Sequence, residues 1–285
     1  MGSPARRLFF RIPATLVCLL YLRDSRNMCR LAAYLGPTVP LERFLLEPPH
    51  SLVEQSWAPR EMREARLNAD GFGFGWFTGP EDPPSIYTNP MPIWTDPNLA
   101  GLGRALESGL WLAYVRSATR RTDVSHANTQ PFAGESLLFM HNGYIDLFGE
   151  TLRHHIRHAL CTECERTIHG NTDSEYLFAL LRQQLLDGRS LESGMMQLFD
   201  LLAQWATDVR LLLNFVVTDG TRIIASRHAI NGESPSLYYS DHVADLEGAL
   251  CVASEPLTDR EQWEPVPEHS LVLLDRNKGI VVRAL

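Results

Sequence analysis

Lysine is almost missing from this chain of 285 residues: Lys278 stands alone against 25 arginines. Such usage is that of a GC-rich coding sequence, in which open frames often extend upstream of the true start. Long apolar runs are missing too. Ala14 to Leu22 is a run of nine, where a membrane span needs about 20. No GxxxxGK[ST] pattern occurs, which excludes a P-loop by that signature. Five cysteines, Cys18, Cys29, Cys161, Cys164 and Cys251, are odd in number and scattered. They are not the framework of a secreted disulfide scaffold, and they point to a reducing, cytoplasmic setting. Basic clusters are lacking and the net charge is −8, which argues against nucleic acid as a partner. There is no low-complexity tract, internal repeat or evident linker. With 45% hydrophobic and 21% charged residues, the chain has material for a full core and little reason to be disordered.

The first 27 residues differ from the rest. They carry five arginines and one aspartate, a net of +4, which leaves −12 for the remainder (−8 − 4). Arginines followed by a short apolar core, with no small-residue cleavage site, make a poor signal peptide. Residues 1–28 are expected to be a leader, either a mis-assigned start or a removed propeptide, and residues 29–285 the working domain. The chemistry of Cys29 gives the reason. A free α-amine has a pKa of about 7.7–8.0 and a thiol about 8.5. On one residue the amine can take the thiol proton, so nucleophile and base come from a single position. While anything precedes Cys29, its nitrogen is an amide and cannot be a base.

Along the chain, Cys29 to Leu35 reads as a strand ended by Gly36-Pro37, and Leu41 to Leu46 as a short helix. "NADGFGFGWF" is a turn and then a strand from Phe72 to Phe77. Asp96 to Leu106 and Leu147 to Leu160 read as helices. "WLAYVRSAT" is a strand that leaves Arg116 and Thr119 at its end, and "LLFMHNGYI" is a strand ending in His141-Asn142-Gly143. In "TDSEYLFALLRQQL", Thr172 with Glu175 three residues on predicts a capping box. Ser190 to Trp205 is a further helix. The rest is strands, with a hairpin turn at Thr218-Asp219-Gly220-Thr221. Strands, then helices, then strands predict one α+β domain with antiparallel pairing.

Two motifs are weak. The glycines of "GFGFG" lie inside a strand, not between a strand and a helix, so close packing is a better reading than a dinucleotide fingerprint. In "RHHIRHALCTEC", His154, His158, Cys161 and Cys164 are metal-ligand types at usable spacing. A solvated helix end explains them better, and no metal is expected. Cys29, Arg116, Thr119, Asn142, Gly143 and Asp173 are a different matter. They fall at strand ends and at a helix start, where a site is built along a sheet edge. Singly, Arg116 also reads as a surface charge, Asn142-Gly143 as a turn, and Asp173 as an acid favoured by a helix dipole.

Together, Met-Cys-Arg with its strand, "NADGFGFGW", "YVRSAT", "NTQPF", "HNGYI" and "NTDSEYLF" resemble the class II glutamine amidotransferases, a family of N-terminal-nucleophile hydrolases. The resemblance covers nearly everything from Cys29 onward, in the family's order. It implies a four-layer αββα sandwich and makes residues 29–285 a type 2 glutamine amidotransferase domain. It implies that Cys29 attacks a γ-glutamyl amide. Asn142 and the Gly143 N–H hold the oxyanion. Arg116 grips the α-carboxylate, Thr119 assists, and Asp173 pairs with the α-ammonium. No cofactor is needed for such acyl transfer.

Two longer stretches, "LLEPPHSLVEQSWAPREMREARLNADGFGFGW" and "ASEPLTDREQWEPVPEHSLVLLD", are most similar to the family's ergothioneine-biosynthesis branch. That branch hydrolyses γ-glutamyl hercynylcysteine sulfoxide. The expected partner is therefore a small γ-glutamyl substrate, with no nucleic acid or membrane involved. An acceptor-activating chain stays open. So do a glutaminase-type amidotransferase subunit and a γ-glutamyl hydrolase acting on glutathione-like peptides. A catalytically dead binding module is disfavoured by the intact residue set. For a trimethylammonium leaving group, Trp57, Trp76 and Trp94 are candidate aromatic contacts.

Overall fold

The computed structural model describes residues 28–61, 67–79, 82–118 and 122–285. Its strands form two antiparallel sheets. The first runs β12 (Glu264–Pro265), β10 (Tyr238–Ser240), β11 (Leu250–Ala253), β1 (Arg30–Pro40), β4 (Glu107–Val115), β2 (Phe72–Trp76), β3 (Ser85–Asn89). The second runs β14 (Gly279–Ala284), β13 (Ser270–Asp275), β8 (Arg222–Arg227), β7 (Leu211–Thr218), β6 (Leu138–Ile145), β5 (Phe132–Ala133), and β9 (Ala229–Ile230) also pairs with β7. The helices are α1 (Leu41–Leu45), α2 (Leu52–Trp57), α3 (Leu99–Ala105), α4 (Arg153–Ala159), α5 (Thr162–Glu165), α6 (Asp173–Leu186) and α7 (Leu191–Trp205).

Strand side chains alternate between faces, and this parity decides what meets what. On β1, Leu31, Ala33 and Leu35 join a core cluster with Cys29, Leu112, Tyr114, Met140 and Val216. That cluster draws on both sheets and lies between them. Ala32 and Tyr34 point the other way, into a cluster with Leu41, Phe44, Leu45 and Leu52 of α1 and α2. On the second sheet, Phe139, Leu213 and Phe215 pack with Leu177, Leu181, Met195 and Leu198 of α6 and α7. Cys29 shares the parity of Leu31, and Asn142 that of Met140. The sequence thus places both on the inter-sheet side.

The glycines of β2 serve close packing. A Cβ on Gly73 would overlap the carbonyl oxygen of Gln130, and one on Gly75 would press on Leu138. The hairpin at Thr218–Thr221 forms as expected, with Asp219 Oδ1 accepting from the backbone nitrogens of Thr221 and Arg222.

Several boundaries differ from the sequence reading. β1 does not stop at Gly36-Pro37 but passes them in a bulge between Leu35 and Val39 and runs to Pro40. A bulge removes the ladder bond that proline cannot give. Of residues 147–160 only Arg153–Ala159 is helix, and of 96–106 only Leu99–Ala105. The expected capping box is half formed. Thr172 accepts from the Glu175 nitrogen, but the Glu175 carboxylate reaches further back, to the nitrogens of His169 and Gly170 at 2.7 Å each. His141-Asn142-Gly143 lie inside β6, not at its end. Among the described residues no helix is long and apolar enough to cross a membrane.

Candidate active site

The register of β1 against β4 ends on Arg30 opposite Val115, so the next residues outward are Cys29 and Arg116. Cys29 Sγ accepts from the backbone nitrogen of Ser117 at 3.3 Å. Burial pushes the Cys29 thiol up, while the nearby Tyr114 hydroxyl, the Ser117 N–H and the charges of Arg116 and Arg30 pull the other way. The Tyr114 phenol is itself pushed well up by burial and by Cys29, and so stays protonated. It donates to the carbonyl oxygen of His141 at 3.1 Å and thereby ties the first sheet to the second.

The Arg116 side chain is buried. Its guanidinium donates to Asp123 O at 2.9 Å and Thr122 Oγ1 at 3.1 Å. No acidic side chain among the described residues pairs with it. A buried guanidinium without a counter-charge is costly to keep, and an anionic ligand would complete it. Asp70, from the turn before β2, accepts from the Ala118 nitrogen at 2.8 Å and holds the segment after Arg116 in place. Thr119 lies outside the described residues.

Asn142 reaches across the gap between the sheets, its Nδ2 standing 3.2 Å from Ser254 Oγ. The same hydroxyl accepts from the Leu31 nitrogen at 3.0 Å. Asn142 Oδ1 is buried without a partner among the described residues. Gly143 is required where it stands, since a Cβ there would overlap the carbonyl oxygen of Leu212.

Its backbone N–H has a direction that can be worked out. Antiparallel neighbours exchange both backbone bonds or neither. Leu213, opposite Gly143, gives its N–H to His228 O instead. On the edge of β6 away from β7, His141 N donates to Gln130 Oε1 and Ile145 N to Asp173 Oδ2. The Gly143 N–H lies between these two on that edge, with no partner among the described residues.

Asp173, the first residue of α6, thus binds the end of β6 at 2.6 Å through one oxygen, and its other oxygen accepts from the Ser174 nitrogen at 2.8 Å. His141 points to the helix side. Its Nδ1 pairs with Ser174 Oγ at 2.9 Å and its Nε2 with Leu212 O at 2.7 Å. The carbonyl takes a proton from Nε2, so Nδ1 accepts from Ser174. Burial lowers the pKa of this imidazole, which keeps it neutral and structural.

Glu255 is the residue that sequence reasoning missed most clearly. Its carboxylate, 0% exposed, accepts from Arg30 Nε at 2.6 Å, His50 Nε2 at 2.8 Å, Arg60 N at 2.8 Å and Glu61 N at 3.0 Å. Ser254 and Tyr114 were missed as well. The only signal was their strand parity, and it becomes useful once the pairing is known.

A cavity of about 820 Å³ opens beside Met28 and Arg30, with Tyr144 and Ser234 in its wall. None of the three candidate tryptophans lines it. Trp57 and Trp94 pair edge to face at the surface, each 42% exposed, and Trp76 packs on Trp111 and Phe74. His154 and His158 sit on α4, Cys161 is exposed and Cys164 buried. Among the described residues no three His, Cys, Asp or Glu side chains converge.

A family profile described as "Glutamine amidotransferases class-II" matches residues 50–283. Cys29 lies upstream of that match. A γ-glutamyl-hercynylcysteine sulfoxide hydrolase of Mycobacterium tuberculosis is 31% identical over 261 residues, covering 90% of this chain and 97% of the relative. A probable glutamine amidotransferase of Saccharomyces cerevisiae, DUG3, is 30% identical over 295 residues, covering 87% and 82%. Among solved structures, a glutamine aminotransferase class-II domain protein from Silicibacter pomeroyi superposes with a TM-score of 0.63 at 25% identity, covering 90% of this chain and 99% of that one.

Proposed function

This chain belongs to the class II glutamine amidotransferases, enzymes that act on γ-glutamyl amide bonds, and from that premise we propose that it hydrolyses γ-glutamyl hercynylcysteine sulfoxide to glutamate and hercynylcysteine sulfoxide. The observation that carries the reading is the single neighbourhood shared by a thiol, a buried guanidinium and a backbone N–H, the latter two without an acidic partner and a hydrogen-bond partner, respectively, among the described residues. Similarity to the mycobacterial hydrolase supports the choice of leaving group.

In the proposed reaction the working chain starts at Cys29. Its α-amine takes the thiol proton, and the sulfur attacks the γ-carbonyl carbon. The resulting oxyanion is held by Asn142 and the Gly143 N–H. The α-ammonium returns the proton to the departing nitrogen as the C–N bond breaks, leaving a thioester. Water then attacks the thioester with the amine again as base, and glutamate and the free thiol are released. Arg116 holds the substrate α-carboxylate through two parallel N–H groups. Thr119 supplies a hydroxyl, and Asp173 takes the α-ammonium.

The two ends of the Asn142 amide exchange by a half-turn. With the oxygen toward Ser254, that hydroxyl donates to Oδ1 while still accepting from Leu31. Nδ2 is then free to point at the oxyanion. The Ser254 proton and the Asn142 oxygen then satisfy each other, and Nδ2 is left for the oxyanion, which favours this arrangement.

The accompanying fold reading is a four-layer αββα sandwich. It is supported by the three core clusters: helices on the first sheet, sheet on sheet, and helices on the second sheet. A second reading, a glutaminase-type amidotransferase, is favoured by the yeast relative. The deciding measurement is kcat/KM for the hercynyl substrate, glutamine and glutathione side by side. A clear preference for the first supports the proposal, and equal values remove the pathway assignment.

A further inference from the structure

We infer that the cavity beside Met28 is the subsite for the departing amine, and that it takes a zwitterionic amine through charged side chains and Ser234, not through an aromatic cage. The inference rests on the mechanism proposed above, in which the α-nitrogen of Cys29 hands a proton to the leaving nitrogen. Those two atoms must come within hydrogen-bond reach. Met28 is joined to that α-nitrogen, and Met28 lines the cavity. Its side chain packs on Tyr144, Leu212 and Ala229. The leaving amine therefore departs into the space that Met28 marks.

Three polar groups of the wall bear on this, of which Arg60 and Glu233 are exposed to solvent and Ser234 is buried. Ser234 is 8% exposed, and its Oγ has no hydrogen-bond partner among the described residues, which is unusual for a buried hydroxyl. Its nitrogen donates to Glu268 Oε1 at 2.9 Å, so the residue is fixed in place. The Arg60 guanidinium makes no ion pair among the described residues, while its backbone nitrogen is pinned to Glu255 at 2.8 Å. Glu233 lines the same cavity and also has no partner among the described residues. An unpaired cation and an unpaired anion around one cavity complement a ligand bearing both signs.

Aromatic recognition of a quaternary ammonium needs an open ring face. Tyr144 already carries Arg210 over its ring at 5.2 Å, and Tyr238 carries Arg260 at 4.6 Å. Both tyrosines are otherwise buried, so the cation of the ligand falls to Glu233, and its carboxylate to Arg60 and Ser234.

Two measurements test this on the protein trimmed to start at Cys29 and on its Arg60→Ala, Ser234→Ala and Glu233→Gln variants. The first is the ratio of kcat/KM for γ-glutamyl hercynylcysteine sulfoxide to that for glutamine, whose leaving group is only ammonia. The second is the affinity for hercynine, the trimethylated histidine betaine, by calorimetry. We expect the ratio to fall about tenfold in Arg60→Ala, and hercynine affinity to fall about tenfold in Arg60→Ala and Glu233→Gln. Equal losses on both substrates, or hercynine binding that is absent or indifferent to all three changes, overturn the subsite. If neither substrate is cleaved while hercynine binding responds as expected, the subsite stands and the proposed reaction falls.

Discussion

Arg30 and Glu255 form a buried ion pair at 2.6 Å across 225 residues of sequence. The pair lies on the helix side of the first sheet, opposite the face that carries Cys29. Arg30 also donates to the Cys29 carbonyl at 2.9 Å. The backbone of the candidate nucleophile is therefore held from behind, and the loop at Arg60 and Glu61 is held by the same carboxylate.

Acid should loosen this anchor in a defined window. Burial alone would raise the Glu255 pKa. The His50 hydrogen bond, the Arg30 charge and two backbone N–H groups outweigh it and bring the pKa from 4.5 to about 2. A carboxyl more acidic in the folded than in the unfolded chain stabilises fully above the unfolded value. Its contribution is lost as pH falls from about 4.5 towards about 2. Glu255→Gln should lower stability at neutral pH by roughly 3–5 kcal/mol, because it leaves Arg30 buried and uncompensated. Its melting temperature should then vary less with pH through that window than that of the parent.

Trimming to Cys29 should create or preserve activity, and a chain with an intact, blocked prefix should be inert. A diazo-ketone glutamine mimic should label Cys29 irreversibly in the trimmed form, and Cys29→Ala should abolish turnover. Equal glutamate release from both forms, with the prefix verified by mass, would sink the amine-as-base mechanism.

Arg116→Lys keeps the charge but loses the planar fork. We expect KM for γ-glutamyl substrates to rise by about tenfold or more, with a smaller change in kcat. An unchanged KM in steady-state kinetics would make Arg116 a structural residue.

Asn142→Ala should cost about 10²–10³ in kcat, the usual loss for one oxyanion donor. Ser254→Ala should cost roughly tenfold in kcat with KM unchanged, because it leaves the amide free to turn the wrong way. The double variant should be no slower than Asn142→Ala alone. Additive losses would separate Ser254 from the oxyanion.

Gly143→Ala should fail as a fold before it fails as an enzyme. The new Cβ overlaps a backbone oxygen, which cannot rotate away as a side chain can. A loss of roughly 3 kcal/mol is expected, read as a fall in melting temperature. A variant as stable as the parent would mean that β6 and β7 slide apart readily.

Much of this site could be read in the one-dimensional chain, and the unread part has a physical cause. Cys29, Arg116, Asn142-Gly143 and Asp173 sit in short motifs whose joint meaning as a candidate site came from the family resemblance, each residue alone having an ordinary structural reading. Antiparallel pairing was signalled by the Thr218–Thr221 turn. The Glu175 carboxylate was expected at its own helix cap but satisfies the loop before it, because two unpaired N–H groups there outcompete one. Ser254 and Glu255 were visible only as part of "ASEPL". Their partners are Leu31 and Arg30, and no local propensity links residues so far apart. Pro37 reads as a strand end because proline cannot donate, and the bulge that lets β1 continue depends on where β4 lies.

The same long separation bears on when the site exists during synthesis. Leu31 meets Ser254 across 223 residues and Arg30 meets Glu255 across 225. At about 5–20 residues per second, a ribosome needs roughly 10–45 s to supply those partners after Cys29 has emerged. Throughout that interval the strand that bears the thiol can pair with β4 but lacks its β11 neighbour, which leaves it more open to peptidases and to stray electrophiles alike. Once β6 and β7 of the second sheet have packed against this end of β1, Met28 is partly enclosed by Tyr144 and Leu212. The proposed trimming to Cys29 is therefore easiest on the growing chain, and a polypeptide released before Ser254 carries the candidate nucleophile without the groups that anchor it.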